Sequence, residues 1–276
     1  MKKNLAVLIT CHNRLEKTKE CLKSIYFQKK IEQYDVKVFL VDDGSTDGTP
    51  EYIKENFPEI ILIQGDGNLY WGGGMYLAWE EALKYKKNFD YFLWVNDDVI
   101  FFNDAFQTLL ETKKNEDDII VGGFCDRLTR KRTYGGTISE KKFLSPFRFK
   151  IIDVNGSAQE IDGINGNGVL ITFSAFKKIG KFDKKFIHAG GDLDYSLRAK
   201  KKNIKVYLTP KYIGFCERSN FGENIENIKD IFNKKSFYPK VWLHFCVKHG
   251  GFFWYFHFLF RYLKIFLKIL INKIKL

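Results

Sequence analysis

The stretch that most constrains the fold is Tyr91–Phe102, Tyr-Phe-Leu-Trp-Val-Asn-Asp-Asp-Val-Ile-Phe-Phe. An apolar, aromatic run stops at Asn96-Asp97-Asp98 and then resumes. A run of this length bounded by polar residues predicts a buried central strand. Acidic side chains at the carboxyl end of such a strand project into the crevice where open α/β sheets bind ligands. Oxygen ligands that leave room for water and substrate phosphate suit Mg²⁺ or Mn²⁺. The same triplet is also ordinary turn and helix-cap chemistry. The triplet alone is compatible with both.

The rest of the chain supplies the sheet. Leu5–Thr10, Val36–Val41 and Ile60–Ile63 read as strands, and Arg14–Phe27 carries an apolar helical face. Asp42-Asp43-Gly44-Ser45-Thr46-Asp47-Gly48-Thr49-Pro50 is turn chemistry leading into a helix, and Trp71-Gly72-Gly73-Gly74 opens a helix running to about Lys86. Asp104–Lys113 reads as a helix and Ile119–Cys125 as a strand. Phe147–Ile152 suggests a small antiparallel excursion. Val169–Phe173 is a further strand, Ser174 is placed to cap the helix Ala175–Ile179, and Gly180 to end it. A helix Asp192–Lys201 precedes a last strand, Ile204–Leu208. Strands alternating with helices predict an α/β fold with a doubly wound, mostly parallel sheet. The turn after the first strand has no glycine and no phosphate-binding loop motif occurs, so neither a dinucleotide fingerprint nor a P-loop is present. Any bound diphosphate then needs another counter-charge, and a metal at Asp98 would supply one.

Asp192 follows two glycines at a helix start, where the helix dipole keeps a carboxylate ionised and able to take a proton from a hydroxyl. The plainer reading is a simple helix cap, with His188 an ordinary loop residue. The formal net charge of +12 favours anionic partners. Lysine runs such as Lys200–Lys202 come without a nucleic-acid-binding motif, so no nucleic-acid partner is expected. Five scattered cysteines form no C-x-x-C pair and fit a reducing cytoplasm. The first apolar run is short and lacks a cleavage site, which predicts a strand and not a signal peptide.

Taken together, Val7–Arg14, Val41–Thr49, Asn68–Gly74, Val95–Asp98 and Phe182–Arg198 resemble a family 2 glycosyltransferase of the Rossmann-like GT-A fold, over roughly residues 4–220. The resemblance implies a nucleotide-sugar donor, a UDP- or dTDP-sugar, held through Thr10, Asn13, Asp42, Asp43, Trp71, Gly72, Gly73, Gly74 and Asp97. It implies a divalent cation at Asp98, with Asn96 as a weaker ligand where the family has an aspartate. It makes Asp192 the catalytic base of an inverting transfer, with Gly191 standing where the family has a glutamate. His188 and Gly191 would then lie on the acceptor side. Many relatives carry a late histidine near the diphosphate. Here that region reads Phe215-Cys216-Glu217-Arg218, and Arg218 is the candidate to pair with phosphate. The Asn68–Gly74 segment resembles bacterial surface-polysaccharide transferases such as rhamnosyltransferases, which implies a hexosyltransferase with a glycan or lipid-linked acceptor. A non-catalytic sugar-nucleotide-binding or scaffold protein on the same fold is the alternative.

Residues 1–220 are therefore expected to form the transferase domain and 221–276 a helical, membrane-associating region. Phe252–Leu276 mixes aromatics and leucines with Arg261, Lys264, Lys268 and Lys275 at helical spacing. Its uncharged stretches are too short to span a bilayer. The expectation is an amphipathic helix on an anionic membrane, peripheral to the inner face of the cell membrane, with docking on the core or on another subunit as the alternative.

Overall fold

The structure, a computed structural model, describes residues 2–86, 88–140, 147–187, 189–218, 229–230 and 238–274. His188 and Lys275 lie outside the described residues. Four parallel strands, β1 (Lys3–Cys11), β2 (Tyr34–Asp42), β3 (Ile61–Gln64) and β4 (Tyr91–Asn96), stand in the order β3-β2-β1-β4. The chain thus steps outward from β1 on one side and returns to β4 on the other, which creates a switch point at their carboxyl ends. Register puts Thr10 beside Asn96 and Cys11 beside Asp42. Three of the segments singled out above meet there.

Beyond β4 the sheet becomes mixed. After the short β5 (Ile100–Phe101) come β6 (Ile119–Cys125), β7 (Arg132–Tyr134), β8 (Thr137–Ser139), β9 (Phe149–Ile151), β10 (Gln159–Glu160) and β11 (Gly168–Thr172). β11 runs antiparallel between β4 and β6, and β12 (Val206–Phe215) lies parallel to β6 on its far side. β8 and β9 form the small separate antiparallel pair. The last strand extends past the expected Leu208 to Phe215, through register shifts between Leu208, Tyr212 and Gly214.

Side-chain alternation splits the core in two. Ala6, Leu8, Phe92 and Trp94 face one layer, made by α3 (Tyr70–Lys84), α5 (Phe173–Ile179), α6 (Gly191–Lys201) and α7 (Pro239–His249). Leu5, Val7, Ile9, Leu93 and Val95 face the other, made by α1 (Leu15–Tyr26), α2 (Thr49–Asn56) and α4 (Ala105–Thr112). The sheet is doubly wound, as the sequence predicts. Thr172, not Ser174, caps α5: its hydroxyl accepts from the Ala175 N–H at 3.1 Å, because the helix begins two residues earlier than the apolar pattern suggests. Gly180 ends that helix with φ +84°.

α7 packs on the core through Phe245, and α8 (Trp254–Ile274) follows after a single turn of 3₁₀ helix, Gly251–Phe253. Arg261 is turned inward, 4.3 Å from the centroid of the Trp242 ring. It therefore leaves the expected cationic stripe, while Lys264 and Lys268 stay exposed. Among the described residues no helix is long and apolar enough to cross a membrane.

Candidate active site

A cavity of about 650 Å³ opens at the carboxyl ends of β1 and β4. Of the residues singled out from the sequence, it is lined by Thr10, Asp43, Trp71, Asn96, Asp97, Asp98 and Asp192. Asp98 and Asp192 come from distant parts of the chain and share this one space.

The remaining predicted residues that the structure describes lie outside that lining, and several of them support it. Asn13 adopts a left-handed backbone, φ +49°, and its Oδ1 accepts from the Thr46 N–H at 2.8 Å. It ties the turn after β1 to the loop after β2. Asp42 is fully buried, and its Oδ2 accepts from Gln64 Nε2 at 2.9 Å and from the Ser45 N–H at 3.2 Å. Asp43 faces the cavity, with one oxygen held by the Gly67 N–H and the other by the Tyr70 N–H, both at 2.8 Å. Gly72, Gly73 and Gly74 lie outside the lining. A Cβ on Gly72 would meet the Phe186 carbonyl oxygen at 1.8 Å, and one on Gly74 the Thr10 hydroxyl at 2.1 Å. These glycines let α3 press against β1 and against the loop before α6, which places Trp71 in the cavity wall.

The acidic triplet differs from expectation in how its members are used. Asn96 bonds to two wall residues: its Oδ1 accepts from Trp71 Nε1 at 2.6 Å and its Nδ2 donates to Asn167 Oδ1 at 2.5 Å. Its amide ties Trp71 on α3 to Asn167 at the start of β11. Asp97 instead joins Asp98. Arg14 Nη1 lies 3.0 Å from Asp97 Oδ1 and 3.3 Å from Asp98 Oδ2, so two carboxylates converge on one cationic nitrogen. Burial pushes the Asp97 pKa up to about 6; Arg14 opposes that shift and Asp98 adds to it. Cys216 Sγ donates to Asp98 Oδ1 at 3.6 Å, and burial together with Asp98 pushes its thiol pKa up, so it is protonated. Arg218 is exposed and outside the cavity lining.

Asp192 occupies the second position of α6, behind Gly190, which caps the helix at φ +84°. Burial raises its pKa to about 6, and the Leu193 N–H, 2.8 Å from Oδ1, limits the rise. Gly191 leaves no room for a side chain unless Phe182 moves: a Cβ there would lie 1.8 Å from its ring. A larger side chain at this position would therefore have to displace the Phe182 ring from this wall. α6 is fixed from behind by Asp194, which takes Arg198 Nε at 2.8 Å, Lys248 Nζ at 2.7 Å and His249 Nε2 at 2.8 Å. Asp183 takes Lys248 and His244 at 2.6 and 2.9 Å. α7 is thereby bolted to the helix that carries Asp192.

Arg14, Tyr70, Tyr134, Asn165, Gly166 and Asn167 also line the cavity and were given no role from sequence. Arg14 stood inside a recognised motif. Asn165–Asn167 had only the onset of β11 to mark them.

The fold is that of solved GT-A sugar transferases. The structure of S. aureus TarS 1-349 in complex with UDP-GlcNAc matches with a TM-score of 0.59 at 16% identity, over 90% of this chain and 66% of that one. GalNAc-T7 with UDP, GalNAc and Mn²⁺ matches with 0.59 at 13%, over 76% and 43%. The mannosyltransferase PcManGT from Pyrobaculum calidifontis, with GDP-Man and Mn²⁺, matches with 0.55 at 13%, over 90% and 63%. The chain spans less than two-thirds of the length of each. No curated protein matches. The family model described as Glycosyl transferase family 2 matches residues 6–180, and the chain belongs to that family.

Proposed function

We propose that this protein transfers a hexosyl group, with inversion, from a nucleoside-diphosphate sugar to a hydroxyl of a glycan or lipid-linked acceptor in bacterial surface-polysaccharide synthesis. The observation that carries the reading is the shared cavity: the Asp97–Asp98 pair and Asp192 face one space at the switch point of the sheet.

Asp192 accepts the proton of the acceptor hydroxyl as that oxygen bonds to the anomeric carbon. The bond from that carbon to the diphosphate breaks, and the nucleoside diphosphate departs with the electron pair. With a pKa of about 6, Asp192 is ionised at neutral pH yet basic enough to take the proton. Thr10, Asp43 and Trp71 bound the donor side, and the Trp71–Asn96–Asn167 chain of hydrogen bonds keeps that wall rigid.

A divalent cation fits the donor set. Two carboxylates already converge on a positive nitrogen, so the chain supplies two ligands; among the described residues no group of three or more His, Cys, Asp or Glu that could hold a metal by itself forms. Asp97 and Asp98 would hold the ion, with diphosphate and water completing a Mg²⁺- or Mn²⁺-like shell. When bound, it would neutralise charge on the departing diphosphate.

The reading includes a membrane. Phe252, Tyr255, Leu259, Leu263, Leu267 and Ile271 are exposed, Lys264 and Lys268 flank them, and the chain is strongly basic. A lipid-linked acceptor and an anionic cytoplasmic leaflet suit that face. The test is thermal-shift profiling against UDP-, dTDP- and GDP-sugars with Mn²⁺, followed by donor-consumption assays. Stabilisation by one donor class with release of its diphosphate is expected. No binding by any donor would overturn the proposal.

A further inference from the structure

The cavity contains a protein cation at the point where a metal would bind. Arg14 Nη1 sits within hydrogen-bond distance of one oxygen from each of Asp97 and Asp98. Its backbone is fixed. The neighbouring Asn13 N–H donates to Ser45 Oγ at 2.9 Å, Asn13 Oδ1 accepts from the Thr46 N–H, and the Arg14 carbonyl accepts from the Thr18 N–H at 2.9 Å in the first turn of α1. The side chain is 42% exposed at the cavity mouth, so solvent borders it on the open side.

A guanidinium and a divalent ion cannot both use these oxygens. Each oxygen bonded to the guanidinium is withdrawn from the metal, and two cations within ~4 Å repel. A diphosphate entering the same cavity offers the guanidinium another anion, since its planar fork matches phosphate oxygens. Resting on the sugar-nucleotide reading above, we infer that Arg14 is the resident counter-cation of the Asp97–Asp98 pair and is handed to the donor's diphosphate as the divalent ion is taken up. Metal binding is then weak in the free protein and tight only with a nucleotide present. Arg14 acts as a binding residue for the diphosphate and as a competitor of the metal.

The test measures Mn²⁺ affinity directly, by electron paramagnetic resonance of free Mn²⁺ or by calorimetry, on the full chain with and without UDP, GDP or dTDP. Arg14→Gln should bind Mn²⁺ alone on the order of tenfold more tightly than wild type, the scale of one charge-assisted hydrogen bond removed from competition. The tightening produced by a nucleoside diphosphate should be large in wild type and much smaller in Arg14→Gln. Arg14→Lys, which keeps the charge but not the fork, should fall between them and serves as the second variant if Arg14→Gln folds poorly. Equal or weaker Mn²⁺ affinity in both variants without nucleotide would overturn the inference and show a purely structural ion pair. Wild type that binds none of the diphosphates would instead overturn the sugar-nucleotide reading, while the nucleotide-free comparison still decides whether Arg14 competes with the metal.

Discussion

The substitution Gly191→Ala tests how the wall beside Asp192 is built. The new Cβ would stand 1.8 Å from Phe182 Cζ and 2.6 and 2.7 Å from its two Cε atoms, well inside ordinary contact. The ring has little room to retreat. Phe182 is buried, with Trp71 edge-on at 5.4 Å and Trp94 at 5.8 Å. Overpacking of this kind costs about 1–3 kcal/mol. For a chain of this size that corresponds to a loss of roughly 2–12 °C in Tm, at about 2–4 °C per kcal/mol. The assay is thermal and urea unfolding of wild type, Gly191→Ala, Phe182→Leu and the double variant. Leucine lacks the Cζ atom that is struck, so the double variant should be more stable than the sum of the single effects by about 1 kcal/mol. Trp71 lines the cavity, so donor affinity should fall in Gly191→Ala as well. A Gly191→Ala protein within about 0.5 kcal/mol of wild type, or a strictly additive double variant, would refute the packing argument.

Further expectations concern the chemistry and the two ends of the site. Asp192→Asn should keep donor binding and lose transfer by about 10²–10⁴-fold; turnover above about a tenth of wild type would remove Asp192 from the role of base. Because the Asp192 pKa is raised to about 6, wild-type kcat/KM should rise with pH through that value as the carboxylate ionises, and a flat profile from pH 5 to 7 would contradict it. Asp98→Ala should weaken donor binding as well as turnover, and wild-type activity unaltered by excess chelator would exclude the metal. Asp194→Asn should cost about 3–5 kcal/mol in urea unfolding, since it takes the buried carboxylate from the largely buried Arg198, while Lys248 keeps Asp183. Burial alone would raise the Asp194 pKa, but His249, Arg198 and Lys248 bring it below the ordinary 3.8. Its contribution is present above that value and lost as pH falls, so the variant should show a shallower acid-induced loss of stability than wild type. Removing residues 252–276 should abolish sedimentation with anionic vesicles while donor binding persists; unchanged sedimentation would assign the exposed face of α8 to a protein partner.

The elements with long, regular patterns were legible in the sequence. Ile119–Cys125 is a strand over the whole predicted range, and the strand–acid boundary at Asn96 falls where the apolar run stops. What escaped is non-local or irregular. β12 could not be followed past Leu208, because shifted register breaks the alternation on which strand reading depends. Asn165–Asn167 enter the site because β11 runs antiparallel between β4 and β6, a pairing that no local pattern encodes. The different uses of Asn96 and Asp97 depend on the Trp71 N–H and on Arg14, which reach them from distant segments. The glycines of Trp71–Gly74 were recognised as a motif, while their packing against Thr10 and Phe186 became visible only in three dimensions.

The charged bolt between α6 and α7 bears on how shortened versions of this protein should be interpreted. His249 and Lys248 approach Asp194, two residues along the chain from the proposed base, and Asp194 itself has no exposed surface. A truncation made upstream of Pro239 to improve solubility would strip the Lys248 and His249 contacts from a carboxylate sealed in the interior. Such a protein would lose turnover through a slackened base helix, and the loss could be mistaken for a need of the enzyme for lipid. Cuts placed after Gly250 separate the two effects, because they spare the bolt and remove the exposed face of α8 along with its Arg261–Trp242 contact.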